Sequence, residues 1–547
     1  MKITVKHIFT ILLLLFIYSC ARISSPKGGP VDEIPPTLIA SLPDSAQINY
    51  KGNSVSLTFD EWIKPNSIES NLIITPSIEG GFKTKVNKKS ISLTFKEAFL
   101  DSTTYTFNFG NTIQDITNNN SPPNLRLSFS TGPYIDSLEV SGHIVDLYTQ
   151  DPAENTLISL YALDDTLDIT TGKASYFAKT DTAGYFKLTN LPYNKYLIYA
   201  CLDKNNNLKV ETDSEAYGFY LDTLDLTNNI TDVDFSIQRL NLKKLGILSR
   251  RPYGKYFDIG FNKPITDFNI RSYPNDETLY FHQDEPDNIR LYNMNNITGD
   301  TAQLIITAYD SLQTEIIDTV SYYFIDSKIK PDLFTYQMSP SQMEVPVESK
   351  IELLFNKPVT SINLDSIYYQ LDSINQLNLI DSVLNWNSNK TSVSWDLNYL
   401  DNFRQNKTAQ LNIKSAAFIS VENDSSAQNL KRFNLSSLQE SALISGKVET
   451  NAPSFIVQLV DATAMKVVSE VFNQKDFSFR YVNAGKYFIR LVIDDNNNGV
   501  WDIGNILTKT APEPLQYYYD DFNKTKMITI RKNWEMTDLN IIYTVDN

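Results

Sequence analysis

Histidine and cysteine are scarce in this chain, and their scarcity removes several chemistries at the outset. Three histidines and two cysteines occur in 547 residues, too few for a disulfide framework or a His/Cys metal cluster. His7 sits in an N-terminal apolar stretch, which leaves His143 and His282, far apart in sequence. Gly-x-Ser-x-Gly elbows, His-Glu-x-x-His pairs and glycine-rich phosphate loops are all missing, so the motifs of hydrolase, metalloprotease and nucleotide chemistry are not there. A carboxylate pair for glycoside hydrolysis would need no such motif, but no spacing singles one out, and the expectation is a protein that is not an enzyme. Beyond the first twenty residues no run is long and apolar enough to cross a bilayer as a helix. Cations are in deficit too: 48 Lys and Arg against 64 Asp and Glu give a net charge of −16. Such a surface repels nucleic acid and anionic headgroups, so no nucleic-acid partner is expected.

What is present begins with a leader. Lys2 and Lys6 precede an apolar run from Ile8 to Ile17, broken only by Thr10, and Tyr18-Ser19-Cys20 follows. A positive start, a short apolar core and a small residue before the cleavage point are the grammar of an export signal over residues 1–19. Ile17-Tyr18-Ser19-Cys20 resembles the lipobox of bacterial lipoproteins, which implies a lipid on Cys20 and contact with the membrane through that anchor. Loss of Lys2 and Lys6 leaves 46 basic against 64 acidic residues, or −18. Cys201 then has no partner for an intramolecular disulfide. Residues 20–36, rich in Pro, Gly and Ser, read as a flexible linker.

From there apolar residues alternate, as in Val55, Leu57, Phe59 and Tyr105, Phe107, Phe109. Period two means strands with one buried face, and the short runs between turn residues point to an all-β chain of sandwiches. Two internal repeats divide it. A strand ending in Phe and followed closely by Pro recurs at Phe59, Phe261 and Phe355, the last two as Phe-Asn-Lys-Pro. Residues 194–207 match residues 485–498, and each copy follows a strand containing Ser-Gly, at Ser141-Gly142 and Ser445-Gly446. The expected organisation is a tandem array of about five β-sandwich modules at 37–132, 138–238, 240–327, 332–438 and 441–543, hereafter I to V, each of roughly 90 to 110 residues. Few contacts are expected to cross the junctions near 133–138, 238–240, 328–332 and 438–441.

Module I, with Pro35-Pro36, the Phe59 strand, Thr104-Tyr105-Thr106 and the closing Phe129-Ser130-Thr131, resembles the bacterial Ig-like domain of S-layer-type proteins. Modules II and V resemble the transthyretin-like, carboxypeptidase-regulatory sandwich through Ser141-Gly142, Thr180-Asp181, Gly184, Phe186 and Lys195-Tyr196. Together with Cys20-Ala21 and Pro26-Lys27-Gly28-Gly29-Pro30, the chain is similar to Ig-like-domain lipoproteins of the Bacteroidetes. That resemblance implies an outer-membrane scaffold or binding protein for a protein or glycan partner. A subunit bracing a barrel or export complex, and a glycan-active enzyme, are the alternatives. Ala21 to Ser25 carry no acid, unlike surface-exposed members of that group, so which membrane face is occupied stays open.

Two candidate sites remain. In 494–505, Asp494, Asn496, Asn498, Val500 (through its carbonyl) and Asp502 fall at the spacing of a calcium loop, with Gly499 for the sharp turn and Asn505 where a glutamate would complete it. The turn at 203–214 is a poorer copy, with Leu208 in place of the glycine. Asn-rich turns also form without any ion. Asp followed by Ser or Thr and a small or apolar residue recurs at Ser45, Ser102, Ser137, Thr166, Thr182, Thr223, Thr301, Ser311, Thr319, Ser366, Ser373 and Ser382. It resembles the O-glycosylation site of exported Bacteroidetes proteins, though Asp-Ser and Asp-Thr also start turns.

Overall fold

The computed structural model describes residues 31–544 except 166, 275–277, 294–300, 327, 329, 331, 342–343, 347–348, 371–375, 398–407, 437–441 and 507. Cys20 lies outside the described residues. Short strands dominate, and the alternation of buried and exposed residues along them shows why. Ser54–Phe59 and Ser90–Phe95 each place every second residue in the core, as do Tyr256–Phe261 and Lys350–Phe355. Among the described residues each module has its own main core, centred on Phe107 and Phe129, Ile158 and Ile198, Ile259 and Leu304, Phe355 and Trp395, and Leu459 and Ile489.

Modules II and V share one topology. In each, a central strand (Leu138–Asp146 or Ala442–Thr450) pairs antiparallel with Tyr185–Leu191 or Asp476–Val482, and parallel with the last strand, Phe235–Ile237 or Glu535–Tyr543. The facing sheet orders Tyr176–Lys179, Leu157–Ala162, Lys195–Cys201 and Tyr217–Phe219, matched in V by Val467–Phe472, Phe455–Asp461, Gly485–Ile493 and Leu515–Tyr517. This parallel pairing explains the repeated Ser-Gly. A Cβ on Gly142 would run into the carbonyl oxygen of Val233, just before the parallel neighbour, and one on Gly446 into that of Leu539 on it, so only glycine permits that approach.

The Phe-Asn-Lys-Pro repeat also has a physical role. Asn262 and Asn356 bridge back to the segment entering their module: Asn262 to Lys244 and Gly246, Asn356 to Leu333 and Thr335. The next residue is a buried lysine. Lys263 pairs with Asp310 and reaches the Asn241 carbonyl at 3.2 Å; Lys357 pairs with Glu422 at 2.5 Å and Asp424 at 2.8 Å, and reaches the Asp332 carbonyl. In module I these positions are Asp60, which still accepts from the Thr37 amide at 2.7 Å, and Glu61.

The modules are not beads on a string. Modules II and V, separated by two whole modules in sequence, grip each other. The Tyr517 hydroxyl donates to the Tyr148 carbonyl at 2.6 Å, and Lys526 Nζ lies 2.9 Å from the Thr149 carbonyl, 3.2 Å from that of Gln150 and 2.7 Å from Asp151. Tyr148 meets the Trp501 ring edge-on, Gln238 donates to the Ile503 carbonyl, and Ile503 and Ile506 join a cluster around Tyr161, Cys201 and Tyr217. Modules I and II are joined through Asn190, whose Oδ1 accepts from the Thr106 and Ser128 hydroxyls. Arg290 of module III pairs with Asp258 and Asp284 and reaches Asp332 at the start of module IV. Even the end of the expected linker is docked, because the Asp32 carbonyl accepts from the Asn118 and Asn120 side chains.

Candidate functional site

The turn at 494–505 brings four of its five named side chains together. Asp494, nearly fully buried, accepts from the Asn498 amide on Oδ1 and the Gly499 amide on Oδ2, both at 3.0 Å. Asn496 and Asn498 turn their side-chain amides onto Asp502 Oδ2 at 2.5 and 2.9 Å. Val500 is exposed and gives its amide to Asn498 Oδ1. Asn497, Gly499 and Gly504 all sit at positive φ. The turn at 203–214 repeats the pattern: Asp203 accepts from Asn207 and Leu208, while Asn205 and Asn207 donate to Glu211. There Leu208 holds φ 62°, where module V has Gly499 at 77°, a conformation unfavourable for a branched side chain.

Each turn is braced by a buried glutamate that the linear spacing does not reveal. Glu513 accepts from the Asp495 and Asp502 amides, both at 2.9 Å, and Glu215 accepts from the Lys204 and Glu211 amides at 2.8 and 3.0 Å. Burial raises both carboxyls above the ordinary range; Asp502 and Asp494 add to this at Glu513, and Glu211 at Glu215. The signal was available, since each glutamate stands two residues before a strand, Tyr217–Phe219 or Leu515–Tyr517. A longer segment between Asp502 and Glu513 breaks the alignment of the two copies. The turn in V is also the wedge that meets II: Trp501 donates to the Glu513 carbonyl at 3.2 Å, and the Arg490 guanidinium lies over its ring.

A second acidic group lies in module I. Asp32, Glu61 and Asp115 bring carboxylate oxygens within 4.8 Å of one another, the only such group of three His, Cys, Asp or Glu among the described residues. Burial, then Asp115, Asp32 and Asp60, raise the Glu61 carboxyl. Burial also opposes ionisation of Asp115, but amides of Asn118, Asn119 and Asn120 outweigh it and hold its carboxyl below the ordinary value.

The remaining reactive side chains are placed structurally. His143 lies 3.3 Å from Asp234 and packs against Tyr185, and no serine or cysteine is bonded to it among the described contacts. It edges a cleft of about 450 Å³ between II and V, walled by Tyr217, Phe219, Pro512 and Leu515. Burial depresses the pKa of His282, in module III. The Cys201 thiol is buried, and burial followed by Glu215 pushes its pKa up, which leaves it a poor nucleophile. Of the candidate glycosylation residues, Ser45, Ser102, Ser137, Thr182, Thr223, Thr301, Ser311, Thr319 and Ser382 are exposed and Ser366 is half-buried. Thr166 lies outside the described residues, and so does Ser373. Several follow an aspartate that caps a turn, as Asp181 and Asp310 do.

The fold defines a multi-module β-sandwich protein. Residues 32–131 match the family model described as a bacterial Ig-like domain. No curated protein matches the chain. Among solved structures it is similar to the major pilin subunit BcpA of Bacillus cereus, at 10% identity over 75% of this chain and 99% of the pilin, with a TM-score of 0.14. Surface layer protein SbsC, domains 1–6, matches at 12% identity over 91% of this chain and 67% of that one, with a TM-score of 0.15. The Bacteroides ovatus protein SGBP-B, solved with a mixed-linkage heptasaccharide, matches at 9% identity over 63% and 84%, with a TM-score of 0.15. Likenesses this distant carry no argument about function. Among the described residues no helix is long and apolar enough to cross a membrane.

Proposed function

We propose that this chain is a non-enzymatic lipoprotein of the bacterial outer membrane, anchored through Cys20, that acts as an extracytoplasmic scaffold or binding protein for a protein or glycan partner. The observation that carries the reading is the grip between II and V. It closes the chain on itself, with III and IV in the stretch between the two gripping modules and Leu312 of III packed into the same cluster, which suits presentation of a surface at a set geometry. The buried ionisable groups support it, since Lys263, Lys357, Glu215 and Glu513 are all spent on holding loops. Crosslinking in intact cells, followed by identification of the captured species, tests the proposal. Capture of a barrel protein in fixed stoichiometry would favour the accessory-subunit alternative. Turnover of a glycan by the purified chain would sink the non-enzymatic reading.

The turn at 494–505 fits weak calcium binding within this scaffold. Calcium would replace the two hydrogen bonds that the Asn496 and Asn498 side-chain amides donate to Asp502 and recruit the Asn496 and Asn498 oxygens beside Asp494. With little ligand charge, its affinity belongs near the extracellular range, about 10⁻⁴ to 10⁻³ M.

A further inference from the structure

We propose that the cleft between modules I and II binds an oxyanion-bearing saccharide, a sugar carrying a carboxylate or phosphate, through Arg126. The inference rests on the binding-protein reading above and gives it a ligand class. The cleft measures about 360 Å³, within the range of small-ligand sites. Its two walls are fixed to each other: besides the Asn190 bonds to Thr106 and Ser128, Asn190 Nδ2 donates to the Asp136 carbonyl at 2.9 Å, and the Ser77 amide donates to the Ser175 carbonyl at 2.9 Å. A site built from two modules therefore arrives preorganised, and less ordering entropy is lost on binding.

Its charge runs against that of the chain. In a protein of net charge −16, the cleft is lined by Arg126, Lys179 and Lys187 against one carboxylate, Asp181. Asp181 is turned into its own loop, accepting from the Ala183 and Tyr185 amides at 2.9 Å. Lys187 is neutralised by Glu139 at 2.7 Å, and Lys179 meets only the neutral side-chain oxygen of Asn206. Arg126, exposed on the strand Arg126–Ser130, forms no ion pair among the described residues. A guanidinium left free in this way is matched in shape and charge to a carboxylate or phosphate, which it holds by two parallel bonds. Asn108 and Asn124 add amide groups for ring hydroxyls, and the Tyr185 ring, 36% exposed, adds a surface for the apolar side of a sugar. An acidic peptide docking as an added strand would need a free strand edge for main-chain pairing. The outer edge of Arg126–Ser130 is already taken, with the Ala46 amide on the Ser128 carbonyl and the Ser130 amide on the Gln47 carbonyl, both at 2.8 Å.

Titration calorimetry on the full chain in non-ionic detergent tests this, with trigalacturonate, inorganic phosphate, neutral cellotriose and a hexaglutamate peptide as probes. Trigalacturonate should bind more tightly than cellotriose, weaken as salt rises, and lose about tenfold in affinity in Arg126→Gln, the loss of one charge-assisted contact. Competition by inorganic phosphate at millimolar concentration would assign the oxyanion to phosphate, and its failure to compete would assign it to carboxylate. Both outcomes support the site. Equal binding of trigalacturonate and cellotriose, or affinity unchanged in Arg126→Gln, overturns the anion site while leaving a saccharide-binding protein. Tighter, Arg126-dependent binding of hexaglutamate overturns it in favour of a peptide. Absence of binding by every probe overturns it outright, and the scaffold reading is then judged by the crosslinking experiment alone.

Discussion

Module I has a glutamate where modules III and IV bury a lysine, and replacing Glu61 with lysine should strengthen the module. In III and IV the lysine cancels a carboxylate, Asp310 or the pair Glu422 and Asp424. In I, Glu61 instead faces Asp115 and Asp32 within 4.8 Å. Two unit charges at that distance repel by roughly 0.9 kcal/mol even in a water-like medium. Glu61→Gln removes two such terms, a gain of about 1.8 kcal/mol. Glu61→Lys reverses them, less the roughly 1–2 kcal/mol for ordering a lysine, for a net gain of about 2 kcal/mol. In a module of this size that is a rise of roughly 8–16 °C in its melting temperature. Scanning calorimetry of the full chain in EDTA reads it, and amide hydrogen exchange in Thr104–Asn108 assigns the transition to module I. The pH dependence gives a second check. The Glu61 pKa is raised on folding, so the charged form weakens the native state above that raised pKa, and the penalty vanishes as pH falls through the unfolded value of 4.5. The advantage of Glu61→Gln should be full at neutral pH and gone below that value. Asp115, with a lowered pKa, contributes stability that is lost only at lower pH, as pH falls through its depressed folded value. An advantage that persists in acid, or a lysine variant no more stable than wild type at neutral pH, would refute the electrostatic account.

Four further outcomes are expected. Cys20→Ser should leave the protein unlipidated and outside the membrane fraction after cell lysis, because a thioether to diacylglycerol requires the sulfur; equal membrane retention of both forms would remove the anchor. Lys526→Met with Tyr517→Phe should open the grip between II and V, at a cost of about 2–4 kcal/mol for the lost charged and neutral hydrogen bonds, seen as a larger radius of gyration in solution scattering. An unchanged radius would mean that the Trp501, Ile503 and Ile506 contacts suffice alone. Gly446→Ala should destabilise module V by at least about 1–3 kcal/mol, because the collision is with a backbone carbonyl that cannot rotate away; a normal melting profile would contradict the close approach. Millimolar calcium should raise the melting temperature of module V modestly by mass action, and Asp494→Ala with Asp502→Ala should abolish the rise. A rise surviving both substitutions would leave the motif as a plain turn.

By itself the sequence determined what depends on neighbours along the chain. Alternation at period two specified strands and their buried faces, because successive side chains in a strand point to opposite sides. That is why the sequence alone puts Val55, Leu57 and Phe59 in a core. The calcium-loop spacing likewise brought Asp494, Asn496, Asn498 and Asp502 to one turn, since a local loop closes within a dozen residues. The tertiary structure alone decided everything that joins distant residues. Glu513 and Glu215 brace their turns from a following segment of different length in each copy, so no fixed spacing from the turn marks them. The requirement for Gly142 and Gly446 comes from a parallel strand some ninety residues later, and the burial of Lys263 and Lys357 comes from acids on loops that the Phe-Asn-Lys-Pro motif does not contain. The grip between II and V was out of reach of sequence reasoning because it depends on Lys526 meeting three oxygens at 149–151, across hundreds of residues. Hydrophobic periodicity reports which face of a strand is buried. It carries no record of which module, near or far along the chain, comes to rest against the polar loops between strands.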